Sequence, residues 1–122
     1  MKIQEFDEKF NFHDSDIHSI NYDVKAKALT IVFDFCYWMQ SDYEKDRPEN
    51  GLLKVIFNDV DSYDGVTGEN KYEYWSVLDG DIKDGKYHLF IEDTSSGGSN
   101  SPKYRDIYIL ADNVEVEDLR EK

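Results

Sequence analysis

The sequence predicts a mainly β protein, an antiparallel sandwich or a curled meander of six to seven strands, with one short helix at a terminus. Three observations predict it. Apolar residues recur with a period of two, as they do in a strand whose two faces meet different surroundings. The pair Asp84-Gly85 separates two such runs and tolerates the positive φ angles of a tight hairpin turn. The other connectors, Arg47-Pro48-Glu49-Asn50-Gly51, Asp64-Gly65-Val66-Thr67-Gly68 and Ser95-Ser96-Gly97-Gly98-Ser99-Asn100-Ser101-Pro102, are short and made of turn-forming residues.

Each element follows from its own pattern. Ile3, Phe6 and Phe10 have helical spacing and predict a short N-terminal turn of helix. Ile20, Tyr22 and Val24 alternate with Ser19, Asn21 and Asp23, and Lys25-Ala26-Lys27 is short enough to join that strand to the next as a hairpin. The clearest run is 29–39, where Leu29, Ile31, Phe33, Phe35, Tyr37 and Met39 share a uniform face that belongs on the core. Thr30, Val32, Asp34, Cys36, Trp38 and Gln40 share the other face, which is mixed and at least partly wet. Residues 52–60 place Leu53, Val55 and Phe57 together. Residues 72–78, a segment ending Ile82-Lys83, residues 86–91 and residues 105–111 complete the set. In the tail Val114 and Val116 alternate like a strand, whereas residues 117–122 read equally as a frayed helix.

The 122 residues fit one domain, 1–122. A hydrophobic content of 39% and an aromatic content of 15% supply its core and argue against disorder, despite the charge. Lys and Arg number 14 against 27 Asp and Glu, a formal charge of -13. Duplex and single-stranded backbones repel such a surface, so no nucleic-acid partner is expected, whereas a basic protein would be attracted to it. The longest unbroken apolar stretch, Phe35-Cys36-Tyr37-Trp38-Met39, is far short of the roughly 20 residues of a bilayer span. The N-terminus carries charges where a signal peptide needs an apolar block, and the lone Cys36 has no intrachain disulfide partner. The expectation is a cytoplasmic protein without a membrane partner.

Several clusters invite a chemical reading. Asp59-Val60-Asp61-Ser62-Tyr63-Asp64-Gly65 begins like a calcium loop, but Tyr63 and Asp64 stand where an oxygen ligand and Gly are required, and Asn70 replaces the closing Glu. Asp79-Gly80-Asp81-Ile82-Lys83-Asp84-Gly85 fails in the same way, and acidic turns account for both. His13-Asp14-Ser15-Asp16-Ile17-His18 holds a nucleophile, imidazoles and carboxylates, yet such groups usually converge from distant segments, and His13 and His18 fall on opposite faces of a strand. A polar turn entering a strand, with Asp14 or Ser15 bonding nearby backbone N–H groups, explains that cluster. Glycosidase-type carboxylate pairs cannot be picked out among so many acids. No GxSxG, P-loop or dinucleotide fingerprint occurs, so neither cofactor nor metal is expected. Tyr and Trp are too numerous to lie wholly inside so small a core, and tolerate a half-wet interface. Trp38 and Trp75 each occupy the more polar face of a strand, which makes them candidate anchors for a protein or a sugar.

Phe12-His13-Asp14-Ser15-Asp16-Ile17, followed by Leu29-Thr30-Ile31-Val32-Phe33-Asp34 and Val55-Ile56-Phe57-Asn58-Asp59-Val60, resembles a loose group of small acidic bacterial proteins that open with a Phe-His-Asp-Ser turn and two strands. Some similar sequences are immunity proteins that neutralise polymorphic toxins. The resemblance covers roughly the first half of the chain, brings no catalytic residues, and implies binding rather than chemistry. The leading expectation is therefore a non-enzymatic module that engages a basic protein through Asp14, Asp16, Asp59 and Asp61 with Trp38 and Trp75 as anchors. A carbohydrate-binding or small-ligand β-module is the first alternative, and a carboxylate-dependent hydrolase the second.

Overall fold

In the computed structural model the alternating runs become six antiparallel strands, β1 (Asp16–Asp23), β2 (Ala28–Cys36), β3 (Asn50–Asp64), β4 (Trp75–Lys83), β5 (Lys86–Asp93) and β6 (Lys103–Asp118), preceded by the helix α1 (Ile3–Lys9). The structure describes residues 1–36, 50–65, 75–93 and 103–119. The strands form one sheet that closes into a barrel in the order β1-β2-β3-β6-β5-β4. Two three-stranded meanders, β1-β2-β3 and β4-β5-β6, are thus joined along β3 and β6 and again where β1 meets β4. Of the two expected architectures it is the curled sheet, not the sandwich, that forms, and closure leaves fewer unpaired edges.

The inward series are those the alternation predicts. Leu29, Ile31, Phe33 and Phe35 of β2, with Leu53, Val55 and Phe57 of β3, are fully buried. Tyr87, Leu89 and Ile91 of β5 and Ile107 and Ile109 of β6 meet them across the barrel. Each of the aliphatic and Phe side chains contributes roughly 1.5–3 kcal/mol by leaving water. Asp84 and Gly85 have φ of 53° and 77°, the two positive values that a type I′ turn needs, and the hairpin sets Lys83 opposite Lys86.

Several boundaries differ from the pattern. The expected runs on either side of Asp79 are one continuous strand, β4, with an irregularity between Val77 and Asp79. Asp59 to Asp64 are strand rather than turn, since a φ of 52° at Asp59 and a shift between Val60 and Ser62 let β3 bend while it stays paired to β6. The tail continues β6 to Asp118, because Val114 and Val116 still face inward against Phe57 and Val55. Val24 lies in the exposed turn after β1 rather than in the strand.

A seven-residue helix is marginal alone, and α1 has no side-chain cap on its first turn. Tertiary packing holds it. The Phe6 ring sits 5.0 Å from Tyr87 and 5.8 Å from Phe57, and the Phe12 ring 4.4 Å from Phe33, so aromatic rings from the N-terminal segment complete the interior. The Met1 amine donates to Asn113 Oδ1 and to the Val114 carbonyl, which ties the start of α1 to β6.

Candidate functional site

The segment 12–16 is where the barrel closes. Among the described residues β1 and β4 share one register pair, Asp16 with Ser76, whose side chains are joined by a 2.8 Å bond from Ser76 Oγ to Asp16 Oδ1. On one side of that pair the Asp14 N–H donates to the Val77 carbonyl, and the Val77 N–H to the Ser15 carbonyl. A φ of 65° at Asp14 turns the chain into this position. Ser15 is completely buried, and its hydroxyl accepts the Cys36 N–H of β2 at 3.1 Å. The Cys36 thiol donates to the Asp14 carbonyl, and burial pushes its pKa up. His13 Nδ1 donates to the Leu78 carbonyl, which, with the Asp14 carboxylate, holds the imidazole pKa above its ordinary value. The motif that could be taken for a nucleophile and its base therefore uses its polar groups to bind two other strands, β2 and β4. Ser15 does bond a backbone N–H, as expected, but one from a distant strand rather than a local one.

Outside the seam the carboxylates form a band around the barrel. Asp16 stands directly opposite Asp34, and both, with Asp14, lie near Cys36. Asp79 neighbours both His13 and Asp7. The Asp7 carboxyl is pushed above its usual value, first by burial and then by Asp81, Asp79 and Glu8. From Asp81 the band crosses to β6 through His88, whose Nδ1 lies 2.8 Å from Asp81 and whose Nε2 lies 2.7 Å from Asp106. None of these carboxylates has a lysine or arginine partner among the described residues.

Of the residues the sequence singled out, Asp14 and Asp16 belong to this band and are exposed. Asp59 and Asp61 are also exposed, but they lie on β3, near the β1–β2 turn that Lys27 anchors to Val60. Trp38 lies outside the described residues. Trp75 does not offer the half-wet face expected of it, since it is 4% exposed and lies beneath the Arg105 guanidinium, 5.0 Å from the ring centroid. It faces inward because β4 places Trp75 and Val77 on the core side before the irregularity at Leu78 reverses the phase. Arg105 also donates from Nε to the buried Asp93 at 2.7 Å. His13 and His88 stand in separate clusters, and His18 lies in β1 at an irregularity between Ile17 and Ser19.

Sequence reasoning passed over the Asp81–His88–Asp106 bridge, although a signal for it existed. The Asp84-Gly85 turn pairs Lys83 with Lys86, and counting back two pairs sets Asp81 opposite His88. Around this bridge the outer face of β5 and β6 carries two stacked ring pairs, His88 with Tyr108 at 4.7 Å and Phe90 with Tyr104 at 5.5 Å. Among the described residues no group of three or more His, Cys, Asp or Glu is arranged to hold a metal ion, and no helix is long and apolar enough to cross a membrane. Compared with protein families, with curated proteins and with solved structures, the chain matches none of them.

Proposed function

We propose that this chain is a non-enzymatic binding module that acts in the cytoplasm and receives a basic protein on its acidic band. One observation carries the reading: Asp16 faces Asp34 across two paired strands with no lysine or arginine partner among the described residues. Like charges directly opposite cost a sheet about 0.2–1 kcal/mol, which a single lysine at either position would turn into a gain. Repulsion retained in this way is relieved when a cationic surface docks, and the same field steers that surface into contact. The resemblance of residues 12–17, 29–34 and 55–60 to a group of small acidic bacterial proteins, some similar to immunity proteins, gives the reading its particular form, neutralisation of a basic toxin by covering it.

Capture from native lysate tests this, using the wild-type chain beside a variant carrying Asp16→Asn, Asp34→Asn, Asp79→Asn and Asp81→Asn. The expected result is one basic protein, recovered unchanged in mass, held by the wild type, released by salt and missed by the variant. Equal capture by both chains, capture by neither, or a chemically altered partner overturns the reading.

A further inference from the structure

Resting on that reading, we infer that the outer face of β5 and β6 is the part of the acidic surface that grips the basic partner, and that it does so by receiving an arginine side chain between Tyr104 and Asp106. The alternation of β6 puts Tyr104, Asp106 and Tyr108 on the outside, opposite Glu92, Phe90 and His88 of β5 in register. Tyr104 is 56% exposed, although its ring stacks on Phe90 with only 12° between the planes. A stacked pair on a sheet surface holds an aromatic face rigidly, so little side-chain entropy remains to be lost when a ligand covers it. Tyr104 and Asp106 are two residues apart along one strand, roughly 7 Å. That spacing lets a planar guanidinium lie over the ring while its N–H groups reach the carboxylate.

The Asp106 carboxylate is oriented before any partner arrives. His88 holds its Oδ1 at 2.7 Å, is stacked on Tyr108, and is fixed from the other side by Asp81. Asp106 and Asp81 nevertheless stay about half exposed, at 48% and 55%, so each still presents oxygen to solvent. The chain already builds the same combination on its inner side. Arg105, the residue between Tyr104 and Asp106, lies over Trp75 and donates to Asp93. Ring, guanidinium and carboxylate are thus complete on the inner side, whereas on the outer face ring and carboxylate have no lysine or arginine partner among the described residues. The basic residues on the outer rows of β4 and β5, Lys83 and Lys86, are confined to the hairpin end.

Nona-arginine and nona-lysine peptides, titrated into the full chain at low salt and followed by backbone and aromatic chemical shifts, provide the test. Nona-arginine is expected to move the resonances of Tyr104, Asp106 and Tyr108 and to bind about threefold to tenfold more tightly than nona-lysine, because guanidinium stacking adds to the charge. Tyr104→Ser should abolish that preference and Asp106→Asn should weaken both peptides, while Val24→Ser, at an exposed apolar position in the β1–β2 turn, should change neither. Thermal unfolding of each variant separates loss of the face from loss of the fold. Shifts centred on Asp16 and Asp34, or equal affinities for the two peptides that Tyr104→Ser leaves unaltered, overturn this inference and leave the acidic-band reading standing. Failure of both peptides to bind overturns both readings.

Discussion

Along β3 and β6 the ladder runs from Leu53 opposite Asp118 to Asp64 opposite Tyr108, whereas among the described residues β1 and β4 share one register pair, Asp16 and Ser76. The broad closure is backed by Val55, Phe57, Val60, Ala111 and Val114, all buried, so many small apolar contributions hold it and no single polar group decides it. Among the described residues the closure of β1 on β4 is made by a few particular bonds of His13, Asp14, Ser15 and Asp16. The acidic band starts at this closure and leads away to the aromatic face of β5 and β6, so the part of the molecule that seals the fold and the part proposed to grip a partner lie at opposite ends of one charged strip.

The contrast can be broken most forcefully at the broad closure. Phe57→Ala should cost about 3–5 kcal/mol, measured by urea unfolding, because the ring is buried against Phe6 and Tyr87 and leaves a cavity. At the β1–β4 closure Ser15→Ala should cost about 0.5–1.5 kcal/mol, since it removes the buried hydrogen bond from the Cys36 N–H. It should also speed amide exchange at Cys36 and Val77 more than at Val55 or Val116, and uniform acceleration would refute the idea of a local seal. Asp16→Asn with Asp34→Asn should raise stability by about 0.2–1 kcal/mol at low salt, a gain that shrinks as salt is added.

Two smaller effects depend on pH. Asp7 has a raised carboxyl pKa, so the fold favours its protonated form; that contribution is present below the ordinary aspartate value and is lost as pH climbs through the raised one. Asp7→Asn should therefore raise the urea midpoint at neutral pH and lose its advantage in acid. His13 is raised in the same sense: it stabilises the closure below the ordinary histidine value and stops doing so as pH rises through its own. The difference in midpoint between wild type and His13→Gln should be visible near about pH 5 and gone near about pH 9, and an unchanged difference would show that the Leu78 contact does not depend on charge.

The sequence by itself determined which side chains of β2 and β3 face inward and where the sharpest hairpin falls. Period-two alternation is local, and the positive φ angles at Asp84 and Gly85 are set by those two residues. It also carried the excess of carboxylates, although not their arrangement. Only the tertiary structure decided that the sheet closes on itself, that Ser15 reaches Cys36, that Trp75 turns inward beneath Arg105, and that His88 joins Asp81 to Asp106. Each of these joins residues on different strands, and Ser15 and Cys36 are 21 positions apart. A pattern read along one strand gives the direction of a side chain, but its partner depends on how that strand is aligned with its neighbours, and the alignment is set by the packing of the whole interior.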